Sequence, residues 1–226
     1  MYQQISEGQA WNNLINSRWQ TERWDLNQTV TKETMQEIID EVHARAPCKQ
    51  NQVHYGMHVL DWSDTSLRNE IFEMAVDRDN PNHKYNPQTL SNWLVVFTGR
   101  IPQPISYDYS ERNKDLLYLG LSSVEIGLAS YMLIHSAAAR GLQSGFCRCL
   151  DYDYEGWEAE ILPKLGLEYP DEVQLLVGIG IESDSETETF NPHTNTWVES
   201  LKSLKYKWDI EPKPPQDEYI NWYVQI

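Results

Sequence analysis

Residues 115–142, DLLYLGLSSVEIGLASYMLIHSAAARGL, are apolar on nearly every face of a helix and punctuated by small residues. A helix of this kind is buried on several sides. Serines, Glu125 and His135 interrupt it too often for a membrane span. Gly120, Gly127 and the Ala137–Ala139 run allow another helix to come close. The pattern predicts the central helix of a domain or the spine of a dimer, with Gly141 ending it.

The remaining elements arrange themselves around that helix. GQAWNNLINSR (8–18) reads as a first helix, with Trp11, Leu14 and Ile15 on one face. TVTKETMQEIIDEVHARA (29–46) is a second. Thr31 supplies the N-cap, Met35, Ile38, Ile39 and Val42 form the stripe, and Pro47 stops it. QVHYGMHVLDW (52–62) alternates as a strand, and TSLRNEIFEMAVD (65–77) is helical with Leu67, Ile71, Met74 and Ala75 in phase. NPNHKYNPQT (80–89) reads as a loop and SNWLVVFTGR (91–100) as a central strand. QSGFCRCLDY (143–152) is a short strand or turn. YEGWEAEILPKLGL (154–167) is a helix ended or kinked at Pro163, and EVQLLVGIGIE (172–182) is an apolar strand. The order implies a single α+β or α/β domain. The last forty or so residues are polar and aromatic with weak periodicity, so 186–226 reads as an extension suited to wrapping a partner subunit.

Charge and cysteine usage narrow the function. The net charge of -16 disfavours nucleic acid and anionic membrane surfaces, whose phosphates need clustered Lys and Arg. An acidic DNA mimic is a distant alternative, because the carboxylates are scattered apart from ESDSETE at 182–188. Cys48, Cys147 and Cys149 are too few for a disulfide scaffold, and no spacing supplies four metal ligands, so no metal is expected. The N-terminus shows no basic region followed by an apolar stretch, which makes the cytoplasm the default location.

Five motifs in order carry a resemblance: SRWQTERW (17–24), RAPCKQNQ (45–52), SAAARGLQSGF (136–146), LLVGIGI (175–181) and EPKPP (211–215). Together they resemble the FMN-dependent nitroreductase family across most of the chain. The resemblance implies a nitroreductase-like α+β fold, with a central mixed or antiparallel sheet flanked by helices. It also implies a homodimer with the long helix at its interface, and FMN bound there. NADH or NADPH would reduce the flavin, which passes electrons to a nitro compound, quinone or similar small acceptor by ping-pong exchange.

Carried over residue by residue, the resemblance assigns FMN contacts to Arg18, Trp19, Gln20, Cys48, Lys49, Asn51, Gly145, Phe146 and Lys213. Arg18 matches a phosphate-binding arginine, whose guanidinium can grip a phosphate through two parallel bonds. A solvated arginine at a helix end is the plainer reading. Gln20 replaces a serine, Glu22 stands where a second arginine is common, and Arg23 is a candidate to compensate. Asn51 matches the asparagine at the flavin ring, where its amide suits the pyrimidine edge. Cys48 replaces a serine and is equally at home as a packed thiol. Lys49 offers positive charge near the ring or phosphate. Val53, His54 and Tyr55 depart from the family's Gln-Pro-Trp. Gly145 and Phe146 are placed in a turn whose backbone N–H would face the flavin's reactive nitrogen. Lys213 matches a C-terminal phosphate-binding arginine as a point charge. Glu125 and His135 read as buried polar residues with satisfied hydrogen bonds. No catalytic side chain is expected, because the flavin carries the chemistry. The alternative is a nitroreductase-like protein without redox turnover, acting as a ligand-binding or interaction module.

Overall fold

The computed structural model describes residues 8, 9, 12, 14, 21, 23–74, 86–100, 114–148, 163–166, 173–184, 188–191 and 196–199. The helix over Lys32–Arg45 (α1) begins where the Thr31 hydroxyl accepts from the Thr34 N–H at 3.3 Å. It buries Met35, Ile38 and Val42. Pro47 lies just beyond its last turn and has no N–H to continue the ladder. Strand β1 is Tyr55–Leu60, helix α2 is Thr65–Met74 and strand β2 is Trp93–Gly99. The long helix α3 spans Lys114–Ala139, and strands β3 and β4 span Gln143–Cys147 and Val173–Gly180. These strands form one sheet in the order β1-β2-β4-β3, antiparallel at every pairing.

Two-residue alternation sorts the central strands onto two faces. Trp93, Val95 and Phe97 of β2 join Val177 and Ile179 of β4 in one cluster, under α1 and α3. Leu94, Val96, Val173 and Leu176 face the other way, against Leu67 and Ile71 of α2. The β2–β4 register shifts between Phe97 and Thr98, leaving Gln174 as an extra residue. Its amide reaches α3, donating to Ser122 Oγ at 3.1 Å and accepting from Ser123 Oγ at 3.2 Å.

Helix α3 ends as its glycine predicts. Gly141 sits at φ 78, its N–H donates to the Ala138 carbonyl, and the Leu142 N–H donates to Ala137, a glycine-stopped helix end. Beside it, Arg140 grips both carboxylate oxygens of Glu41 on α1 at 3.0 and 3.1 Å, and Ser136 Oγ donates to the same group. The Arg140 hydrogen bond holds the Glu41 carboxyl below its usual range against the opposing effect of burial.

Several expectations change. Gly120 and Gly127 do not serve close packing among the described residues, since a Cβ at either would meet none of them within 4 Å. The 52–62 strand starts only at Tyr55, because Val53 has a left-handed backbone. Of the loop expected over 80–89, the described part, 86–89, is buried, and the burial continues through Asn92. Its polar side chains make that burial tolerable. Asn86 caps the turn at Pro87–Leu90, and Asn92 donates to the Asp25 and Gln28 carbonyls and accepts from the Ile181 N–H. Arg68 on α2, wholly buried, donates to the carbonyls of Leu60, Thr89 and Ser91 and stacks over Trp62 at 4.1 Å. Burial pulls its guanidinium down to about 9, so it remains charged at neutral pH. The chain after 186 also contains a hairpin, β5 (Glu188–Asn191) with β6 (Thr196–Glu199). Of the helix expected over 154–167, only 163–166 falls within the described residues.

Candidate functional site

The segment between α1 and β1 is short, polar and tightly held. Cys48 is extended, Lys49–Asn51 form one turn of 3-10 helix, and the Gln52 N–H closes it on the Lys49 carbonyl at 3.1 Å. Asn51 then takes φ 58 and Val53 φ 53. Asparagine tolerates the left-handed region, but a β-branched valine does so only under constraint, at about 1–3 kcal/mol.

The constraint comes from two elements. Glu125 of α3 is 3% exposed, and one of its oxygens accepts from the Lys49 N–H at 2.7 Å and lies 2.9 Å from His54 Nδ1. The other accepts from the His54 N–H at 2.7 Å. From the end of β2, Arg100 donates to the Val53 carbonyl through its side chain at 2.9 Å and to the His54 carbonyl through its backbone at 3.1 Å. Val53 also packs its side chain against the main core. Tyr55 follows, buried beside Phe97, its hydroxyl pushed up to about 12 by burial and then by Cys48 and Glu125. The outcome is a rigid turn with Lys49 and Asn51 exposed and Cys48 half-buried as a free thiol. No hydrogen bond ties the Asn51 amide to another described residue.

Of the residues assigned by resemblance, Cys48, Lys49 and Asn51 share this turn. Gly145 and Phe146 lie within strand β3 rather than in a turn, opposite Gly178 and Val177. Gly145 is buried for a packing reason, because a Cβ there would fall 2.4 Å from the Gln88 amide nitrogen, whereas Phe146 is 46% exposed. Arg18, Trp19, Gln20 and Lys213 lie outside the described residues. Arg23 is engaged with Glu182 at 3.2 Å. His135, half-buried, lies against the Tyr131 ring at 3.9 Å, and burial lowers its pKa. Glu125 is the satisfied buried carboxylate expected of it. Its partners, and the part played by His54 and Arg100, left no mark in sequence spacing. Among the described residues, no cluster of three His, Cys, Asp or Glu side chains could hold a metal, and no helix is long and apolar enough to cross a membrane.

No protein-family model matches the sequence, and no curated protein matches it. Solved structures do share its fold. A nitroreductase family protein from Clostridium novyi aligns at a TM-score of 0.56 and 16% identity, covering 85% of this chain and 97% of its own. The enone reductase CLA-ER, which catalyses a key step of a gut-bacterial fatty acid saturation metabolism, aligns at 0.59 and 16%, covering 85% and 98%. A protein from Exiguobacterium sibiricum, described as a nitroreductase in complex with FMN, aligns at 0.56 and 17%, covering 81% and 92%. The chain has the nitroreductase-like fold, at an identity that marks it as divergent.

Proposed function

We propose that this chain is an FMN-dependent NAD(P)H oxidoreductase, acting in the cytoplasm as a homodimer on a nitro compound, quinone or similar small acceptor by ping-pong exchange. The observation that carries the reading is the constrained turn at 48–53, which presents the Asn51 amide outward in a fold shared with a protein described in complex with FMN. Strained backbone of this kind is characteristic of ligand clamps.

The residues suit the group. The Asn51 amide both donates and accepts, as the pyrimidine edge of an isoalloxazine requires. Cys48 and Lys49 flank it, and Lys49 brings positive charge to a strongly acidic protein. Arg18, Gln20 and Lys213 would hold the phosphate end, with Trp19 a further FMN contact and Gly145 and Phe146 contributing backbone contacts. Bound FMN would supply hydride acceptance from the nicotinamide and electron delivery to the acceptor. The chain's own part is to bind, orient and exclude water.

The test is the visible spectrum of purified protein with added FMN, then with anaerobic NADH. Uptake of FMN followed by bleaching is expected. Asn51→Ala should weaken FMN binding by about tenfold, the loss of roughly one hydrogen bond. A protein that ignores FMN would sink this reading, and bound FMN without turnover would favour the non-redox alternative.

The homodimer rests on α3. Val124, Leu128 and Tyr131 are 62%, 43% and 62% exposed and recur at helical spacing, with open space at Gly127 between them. Such a patch suits a second copy of the same helix. Leu128→Asp is expected to give monomers by light scattering, with a melting temperature that falls and no longer depends on protein concentration. A dimer that survives this change would place the interface elsewhere.

A further inference from the structure

We propose that Glu125 is the positioning residue of this site, acting with His54 to hold the 48–54 turn in its binding conformation. The inference rests on the flavin reading above and adds to it a residue that never touches the ligand. Three donors converge on one buried carboxylate: the Lys49 N–H, the His54 N–H and His54 Nδ1. Two of them are backbone groups bracketing the left-handed residues Asn51 and Val53. A loop that merely joined α1 to β1 could relax Val53 into the extended region, since strain persists only where the surroundings over-determine it. Here they do so through Glu125 on one side and Arg100 on the other. None of these anchors uses the side chains of Cys48 or Asn51, which are left for a ligand. The carboxylate also sits on α3, the helix proposed as the dimer spine, so the turn is fixed to the element that would bring the second copy into place.

Glutamine at 125 keeps the volume but offers one acceptor oxygen and an amide group whose hydrogens would face an N–H. In Glu125→Gln, amide exchange at Lys49 and His54 is expected to rise at least tenfold, while Trp93–Gly99 and Val173–Gly180 keep their protection. The FMN dissociation constant should rise at least tenfold, and the absorption maximum of bound flavin should move toward that of free FMN. Glu125→Gln with native affinity and spectrum, or with exchange rising equally throughout the sheet, would overturn the proposal. If the unaltered protein takes up no FMN, the flavin reading falls by itself. The exchange measurement then decides alone: a rise confined to the turn supports Glu125 as its organiser, and a uniform rise removes it.

Discussion

Replacing Arg68 by alanine is expected to lower the melting temperature by roughly 6–20 °C, the equivalent of about 3–5 kcal/mol in a chain of this size. The guanidinium is fully buried and has donated to three carbonyls, at 3.0 Å to Leu60, 2.9 Å to Thr89 and 2.7 Å to Ser91. Alanine leaves those acceptors short of a donor where water does not reach, at about 1–3 kcal/mol for each group left wholly unsatisfied. Ser91 suffers least, because Trp62 Nε1 also donates to its carbonyl at 3.1 Å. The substitution also removes the flat cation over the Trp62 ring and opens a cavity between α2 and the turn at Pro87–Leu90. Arg68→Lys should recover only part of the loss, since a lysine cannot spread planar donors over three carbonyls. Thermal melts followed by circular dichroism decide it. An alanine variant within about 1 kcal/mol of the native protein would mean the turn holds itself in place without Arg68.

The same residue marks where sequence reading stops. The helix at Lys32–Arg45 was legible because Met35, Ile38 and Val42 repeat at helical spacing after a capping threonine. Strands β2 and β4 were legible as apolar runs, and Gly141 as the end of the long helix. All of these depend on local periodicity or on one residue's backbone preference. Arg68 has no such signature: a charged residue on an amphipathic helix reads as solvated, and its burial depends on carbonyls up to 23 positions away. For the same reason the pattern assigns Asn86 and Gln88 to a loop and Asn92 to the start of a strand, although their side chains replace solvent for a buried backbone. At the candidate site, the turn carrying Cys48, Lys49 and Asn51 could be located from its polar residues between two core elements. The left-handed valine and the carboxylate 71 positions from His54 could not, because neither composition nor spacing records a contact between distant segments.

At Gly145 a single methyl group is expected to disturb both stability and cofactor binding. In Gly145→Ala the new Cβ would lie 2.4, 2.5 and 2.6 Å from the nitrogen, oxygen and carbon of the Gln88 amide. That amide has little room to retreat. Gln88 is 1% exposed, its oxygen lies 2.8 Å from where a Cβ on Gly178 would be, and its nitrogen donates to the Thr21 carbonyl at 3.0 Å. Overpacking at about 1–3 kcal/mol, with about 1 kcal/mol for the Thr21 bond, gives a melting temperature lower by roughly 4–16 °C. The functional consequence follows from position. Thr21 is held to β3 by its N–H on the Ser144 carbonyl and to the 86–92 segment by Gln88, and it directly follows the Arg18–Gln20 stretch assigned to the phosphate. Loosening Thr21 should therefore weaken FMN binding even though alanine keeps the backbone N–H of residue 145. Combining Gly145→Ala with Gln88→Ala separates clash from backbone effects. If the amide is what the methyl group strikes, the double variant is less destabilised than the sum of the two single changes, by about 0.5–3 kcal/mol in urea denaturation. Strict additivity would instead trace the loss at 145 to the strand backbone, and the glycine would then serve pairing with Gly178 rather than the close approach of Gln88.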